Sequence, residues 1–370
     1  MYLVKEERES MKLDLQNNLK KYKRPFLIAG PCSVESEEQV MNVAKAITAE
    51  TKPALIRGGI WKPRTRPDSF EGVGAIGLPW LVNAGKEIGV PVTTEVANAK
   101  HVEAALKYGV DVLWIGARTT VNPFAVQEIA DAIKGTEITV MVKNPINPDL
   151  MLWIGAFERL QKAGIHDLVA IHRGFSVYKH PRYRNVPNWE IPIGLTEEMP
   201  DIPVICDPSH ISGRRDGLLP IAQKAMDLNF AGLMIETHNN PDKAWSDAQQ
   251  QITPIQLKEL LNQLVLRKAD IQLEGVDFIG IQRGKIAEID NEMFDLMKER
   301  MQIVRDIGIY KGENNITILQ SEHWKKMIDK RLAKAEELEL SIDFLRSVLD
   351  AIHQESIRHQ TKVMNPGSQY

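Results

Sequence analysis

The stretch PVICDPSH, residues 203–210, is a short apolar run that ends in Asp207 and, three positions on, His210. Seven more runs of this build occupy the first two-thirds of the chain: PFLIAGPC (25–32), ALIRGG (54–59), PVTTEV (91–96), VLWIGAR (112–118), TVMVKNP (139–145), LVAIHRG (168–174) and GLMIETH (232–238). Each ends in, or leads within a few residues to, a charged or metal-binding side chain. Helix-like sequence lies between them, as in EQVMNVAKAITAE (38–50), LPWLVNAGKEIG (78–89), KHVEAALKYG (100–109) and PFAVQEIADAIKG (123–135). Gly89, Gly109, Gly135 and Gly164 stand where such helices close. Eight strand–helix units predict an α/β fold, a (β/α)8 TIM barrel, which gathers all strand ends on one rim where loops build the site. After the sixth run comes a long loop, SVYKHPRYRNVPNWEIP (176–192), rich in Arg, Lys and aromatics. Its length marks it as a lid or an oligomer contact.

The barrel fits the span 24–266, preceded by a polar, helical extension over 1–23 and followed by a linker at 267–274. The texture changes from Ile271: strands vanish, and three helices are expected over roughly 275–311, 321–336 and 341–362. The chain is thus expected to be a barrel followed by an all-α three-helix domain (275–362) and a frayed tail, 363–370. In the first helix apolar residues recur at 286, 289, 293, 297, 301 and 304, a helical spacing. That helix is longer than globular helices usually are, which suggests pairing with another chain.

Composition narrows the class. A hydrophobic content of 43% and a charged content of 26% are ordinary for a globular enzyme. A net charge of -3 argues against a nucleic-acid partner. No apolar stretch approaches the ~20 residues that span a bilayer, and the charged N-terminus is unlike a signal peptide. Two cysteines make no disulfide framework, so a cytoplasmic setting is expected.

The rim would gather Cys32, Arg57, Lys62, Glu95, Arg118, Lys143, Arg173, His210, Glu236 and Asp247. Cys32, His210, Glu236 and Asp247 form a mixed donor set that suits a divalent Mn, Fe, Co or Zn ion without selecting among them. Cys206, inside its strand, reads as a small buried residue. Cations at strand ends would be costly to bury without an anion, and Arg forks match phosphate and carboxylate. A phosphorylated, carboxylated substrate would use them all.

GPCSVES, RGGIWKPRTRP, TTEV, IGAR, VKNP, DPSH and IETH with SDAQQ closely resemble the type I 3-deoxy-D-arabino-heptulosonate 7-phosphate (DAHP) synthases, over residues 24–265. That family condenses phosphoenolpyruvate with erythrose 4-phosphate at the entry to the shikimate pathway. The resemblance implies that Cys32, His210, Glu236 and Asp247 are metal ligands. It gives Arg57, Lys62, Arg118, Lys143 and Arg173 to phosphoenolpyruvate, with Glu95 nearby, and the segment Lys62-Pro63-Arg64-Thr65 to erythrose 4-phosphate. The sister octulosonate synthases carry a Lys-Ala-Asn-Arg-Ser segment there, so KPRT favours the four-carbon aldose. Lys62 is then a general acid toward the new alkoxide, and Glu95 assists the water. The family's run Glu-Arg-Gly is replaced here by His172-Arg173-Gly174, and its ferredoxin-like regulatory domain has no room in the 1–23 extension.

Arg300 and Lys311 are 11 positions apart and share a helix face, whereas Arg283, 17 positions before Arg300, points about 100° away. Ser356 and Gln360 share a face four residues apart. From these residues alone the domain reads as a dimerisation bundle with solvated charges. The segment is, however, similar to the all-helical chorismate mutases, which are intertwined dimers. That likeness assigns Arg300, Lys311, Ser356 and Gln360 to a chorismate site completed by Arg283 of a partner chain. Lys311 and Gln360 would hold the ether oxygen and the arginines the carboxylates. Where the family presents an acidic and Arg-Glu cluster, this chain has Gln320, Glu322, His323 and Trp324. The expectation is a bifunctional homodimer or larger assembly acting on phosphoenolpyruvate, erythrose 4-phosphate and chorismate. The alternative is a synthase whose helical domain senses prephenate or chorismate without turning it over.

Overall fold

The computed structural model describes residues 14, 15, 19, 25–62, 70–178, 182–267, 278–335 and 337–365, with backbone alone at 321–323. The eight apolar runs are strands: β1 (Phe26–Gly30), β2 (Leu55–Arg57), β3 (Val92–Val96), β4 (Val112–Ile115), β5 (Thr139–Lys143), β6 (Leu168–His172), β7 (Val204–Cys206) and β8 (Gly232–Glu236). Each pairs in parallel with its sequence neighbour. β1 meets β8 from Phe26↔Gly232 to Gly30↔Glu236, so the sheet closes into a barrel among the described residues. Apart from β3 and the charged strand ends, the runs are mostly apolar because both faces are dry. Phe26, Ile28, Val112, Trp114, Met141, Val169, Ile171, Ile205 and Met234 form an inner cluster, while alternates such as Leu27, Ala29, Leu113, Ile115, Val140 and Cys206 pack outward. Burial pushes the Cys206 thiol well up, as suits an inert core residue.

Helices α1 (Glu37–Glu50), α2 (Gly77–Ile88), α3 (Ala99–Tyr108), α4 (Pro123–Ile133), α5 (Leu150–Lys162), α6 (Glu190–Glu198), α7 (Leu218–Asp227) and α8 (Pro254–Gln263) follow the strands in turn. Ser36, Asn98, Asn122 and Asp149 start four of them by accepting first-turn N–H groups, and Thr253 with Gln256 makes a capping box on α8. Gly89 and Gly109 end α2 and α3 in the left-handed conformation, while Gly135 and Gly164 lie one residue past the caps Lys134 and Ala163.

The far end of the barrel is closed by residues from the N-terminal extension. Leu15 and Leu19 are 0% and 5% exposed and belong to the inner cluster. The Leu15 amide donates to Asp167 Oδ2 at 2.9 Å, just before β6. A segment that reads as a polar lead-in therefore supplies core, and leaves the opposite rim free for chemistry. No helix among the described residues is long and apolar enough to cross a membrane.

The chain divides into two compact units, Met1–Asp270 and Ile271–Tyr370. The second holds α9 (Phe278–Glu313), α10 (Ser321–Leu332) and α11 (Ile342–Met364). α9 and α11 approach closely at Gly308, where a Cβ would lie 2.6 Å from Val363 Cγ2 and 3.1 Å from Gln360 Cα. The buried residues of α9, Met301, Val304 and Gly308, all lie in its second half. In the first half Phe278, Ile281, Ile286, Ile289, Met293 and Phe294 are exposed. α10 stops at Leu332, short of the expected 336, because Ala335 is buried and accepts the Leu340 amide as the chain turns toward α11. The expected linker beyond Arg267 and the tail beyond Asn365 lie outside the described residues.

Candidate active sites

The strand ends bring a cationic cradle onto one aromatic plate. Arg57, at the end of β2, lies 5.0 Å from the Trp114 ring centroid, and Lys143 Nζ, at the end of β5, lies 5.7 Å from it. Arg57 is 1% exposed and contacts Glu236 Oε1 at 3.2 Å, yet its Nε and Nη1 have no hydrogen-bond partner among the described residues. Lys143 pairs with the buried Asp207 at 2.9 Å. Arg173 donates through Nη1 to Asn185 Oδ1 at 2.8 Å. Burial, then the charges of Arg184 and Arg118, pull its acidity constant down to about 10 against the help of Asp207. A guanidinium so crowded is relieved by an anion. Arg118 is exposed in the short helix Ala117–Thr120. Glu95, on β3, accepts from Trp114 Nε1 at 2.8 Å, and Gly116 leaves it room: a Cβ there would sit 2.1 Å from Glu95 Oε1.

The four expected metal donors stand as two pairs. Cys32 Sγ is 3.2 Å from Asp247 Oδ2, and His210 Nε2 is 3.7 Å from Glu236 Oε1. Among the described residues no three of these side chains converge as a formed ion site. Lys62 fills the first pair, its Nζ 2.5 Å from Cys32 Sγ and 3.3 Å from Asp247 Oδ2. Burial disfavours the Lys62 charge, but Cys32, Glu236 and Asp247 more than restore it, so its acidity constant is raised. Burial and then Glu236 push the Cys32 thiol far up.

The donors nonetheless fit a divalent cation. Burial lowers the His210 acidity constant despite Asp207, and its Nδ1 lies 2.8 Å from Asp207 Oδ2. With Nδ1 beside Asp207, a neutral ring would turn its Nε2 lone pair toward Glu236 Oε1, a buried oxygen that makes no hydrogen bond among the described residues and has Arg57 at 3.2 Å as its ion-pair neighbour. Two electron-pair donors facing one another, beside a thiol and a second carboxylate, form a borderline-cation set. Their outer supports are also present: Asp207 on His210, and Gln250 Nε2 on Glu236 Oε2 at 2.6 Å.

The sequence reading missed Asp207, Gln250, Arg184 and Asn185 as members of this site. Arg184 Nη1 donates to Asp247 Oδ1 at 3.0 Å. A cavity of about 720 Å³ opens beside them, lined by Arg182, Arg184, Arg214, Trp245 and Asp247 among others. Arg64 and Thr65, expected at the aldose phosphate, lie outside the described residues.

In the helical unit, Arg300 Nη1 donates to Ser356 Oγ at 2.7 Å. Burial and then Arg331 lower the Arg300 acidity constant. Gln360 is 9% exposed and its Oε1 has no partner among the described residues. Lys311 Nζ donates to the Ile318 carbonyl at 2.7 Å. Trp324 lies flat on His353, centroids 3.5 Å apart. The structure thus joins Arg300 with Ser356 and buries Gln360 between α9 and α11. Arg283 is exposed in the uncovered first half of α9. The side chains of Glu322 and His323 lie outside the described residues.

Residues 13–272 match the model of the DAHP synthetase I family, and residues 282–361 that of chorismate mutase type II. The phospho-2-dehydro-3-deoxyheptonate aldolase of Thermotoga maritima is 30% identical over 238 residues, covering 64% of this chain and 68% of that protein. The 2-dehydro-3-deoxyphosphooctonate aldolase of Cupriavidus necator is 29% identical over 275 residues, covering 69% of this chain and 92% of that protein. Among solved structures, the DAHP synthase of Thermotoga maritima matches with a TM-score of 0.58 and 28% identity, covering 64% of this chain and 67% of its own.

Proposed function

The chain belongs to the DAHP synthetase I family and carries a chorismate mutase type II domain, and from that premise we propose that it condenses phosphoenolpyruvate with erythrose 4-phosphate and rearranges chorismate to prephenate. The observation that carries the first half is the buried cradle of Arg57, Lys143 and Arg173: Arg57 Nε and Nη1 lack a hydrogen-bond partner among the described residues, and the crowded Arg173 guanidinium calls for a dense anion. In this reading the cradle, with Arg118, holds the carboxylate and phosphate of phosphoenolpyruvate, and Lys62 with Arg64 and Thr65 receives the aldose phosphate. A divalent ion held by Cys32, His210, Glu236 and Asp247 would polarise the aldehyde as a Lewis acid.

The enol carbon bonds to the aldehyde carbon, and the protonated Lys62 ammonium delivers a proton to the new alkoxide. Water adds to the adjacent cationic carbon, with Glu95, steadied by Trp114, taking its proton. The hemiketal phosphate then collapses to a ketone and releases phosphate. Phosphate release with erythrose 4-phosphate set against arabinose 5-phosphate tests this reading. Faster turnover of the four-carbon aldose supports it, and preference for the pentose makes the barrel an octulosonate synthase.

In the helical unit the reading places chorismate between Arg300, Lys311, Ser356 and Gln360, with Arg283 supplied by a second copy. The exposed apolar first half of α9 supports that pairing. Trp324, one of the residues standing where the family presents an acidic and Arg-Glu cluster, stacks on His353, which favours a second reading in which the domain senses chorismate or prephenate without turnover.

A further inference from the structure

Two adjacent residues of the long sixth loop touch both halves of the barrel site. Arg184 Nη1 donates to Asp247 Oδ1 at 3.0 Å and to Gln250 Oε1 at 2.6 Å. Gln250 passes the contact on, donating to Glu236 Oε2 at 2.6 Å. One guanidinium therefore orients one carboxylate directly and the other through a single amide. Its neighbour Asn185 accepts from Arg173 Nη1 at 2.8 Å and donates from Nδ2 to the His210 carbonyl at 2.6 Å.

The pair sits in a built seat. Backbone N–H groups of Arg184 and Asn185 bond the Ile211 carbonyl at 3.0 and 3.2 Å, and Phe175 and Val186 exchange hydrogen bonds across the loop's base. Two glycines at positive φ make the space. A Cβ on Gly213 (φ +72°) would lie 2.6 Å from Arg184 Cβ, and one on Gly174 (φ +77°) would lie 2.7 Å from the Asn185 carbonyl oxygen. Asp247 itself is left-handed at φ 47°, a backbone that a non-glycine residue keeps when its surroundings hold it.

We propose that Arg184 and Asn185 are positioning residues: Arg184 sets the carboxylates Asp247 and Glu236 for a divalent ion, and Asn185 sets Arg173 for the anionic substrate. The loop thereby serves the ion site and the substrate site through two separate side chains. This rests on the functional reading above.

The test uses the full chain, with Mn(II) alone and phosphoenolpyruvate alone as calorimetric probes. Outer supports of this kind are worth about 10- to 100-fold in metal affinity. Arg184→Met should weaken Mn(II) by at least about tenfold while phosphoenolpyruvate binding to metal-free protein changes little. Asn185→Ala should do the reverse. Arg184→Lys keeps the charge, but its ammonium ends one atom short of Nη1, the nitrogen that bonds both Asp247 and Gln250, so it should restore only part of the loss. It also serves if the methionine variant fails to fold. In a double-mutant cycle, Arg184→Met and Gln250→Leu should be less than additive. Variants that bind both probes like wild type, or lose both alike, overturn the proposal alone. A wild type that binds neither probe overturns the functional reading and this proposal with it.

Discussion

The Asp207 carboxylate lies 2.8 Å from His210 Nδ1. Its other oxygen accepts the His210 backbone N–H at 3.1 Å, capping the short helix Pro208–Ser212, and Lys143 Nζ stands 2.9 Å from the first. One buried acid thus fixes a metal-type donor by ring and by backbone, and anchors a cation of the anion cradle. Burial opposes its charge, but His210 and Lys143 hold its acidity constant well below the usual carboxylate range.

Asp207→Asn removes that charge while keeping the shape. Lys143 is left buried without its counter-charge, a loss on the order of 3–5 kcal/mol for a broken buried pair. We expect a lower thermal midpoint by calorimetry and Mn(II) affinity reduced at least about tenfold in a binding titration.

The acid limb of stability follows from Asp247. Burial works to raise its acidity constant, but Lys62 at 3.3 Å and Arg184 at 3.0 Å depress it well below the usual range. A depressed carboxyl contributes stability that is fully present above its unfolded value, about 3.9, and is lost as pH falls toward the folded one. The melting temperature should therefore hold down to about pH 5 and drop below about pH 4. Asp247→Asn should start lower at neutral pH and fall less steeply in acid, as melts across that range would record.

Trp114→Phe keeps an aromatic ring but removes the donor to Glu95 and shrinks the plate under Arg57 and Lys143. Cation–π contacts of desolvated groups contribute about 2 kcal/mol or more, and the phenyl ring keeps part of that. Steady-state kinetics should show KM for phosphoenolpyruvate raised severalfold and kcat lowered through the loosened Glu95.

If Arg283 reaches the site of a second copy, two inactive variants repair each other. Arg283→Ala and Arg300→Ala, mixed in equal amounts and allowed to exchange subunits, form heterodimers with one intact site each. Chorismate turnover should recover to about a quarter of wild type, from half the dimers carrying one of two sites. No recovery despite verified exchange would place Arg283 outside the site.

Much of this was legible because it is local. Each strand carries its own apolar run and each run its own charged end, so Arg57, Lys143 and His210 could be placed without knowing what they touch. Arg184 could not: its partner Asp247 is 63 residues away, and a loop arginine looks solvated until the fold closes. Asp207 lies in plain view within PVICDPSH, but in sequence its carboxylate is indistinguishable from a simple helix cap, and only the fold brings Lys143 to it. Leu15 and Leu19 stand four apart in a segment crowded with charge, and only the closed barrel creates the end they fill. α10 ends early although Ala333, Lys334 and Ala335 favour helix, since burial of Ala335 and the turn to α11 outweigh intrinsic preference.

Chorismate consumption by the full chain, beside Arg300→Ala, tests the claim of two reactions in one protein most directly. The account predicts turnover by wild type and its loss in the variant, with phosphoenolpyruvate condensation retained in both. Chorismate left untouched by wild type, with condensation intact, would contradict it and make the helical domain a sensor.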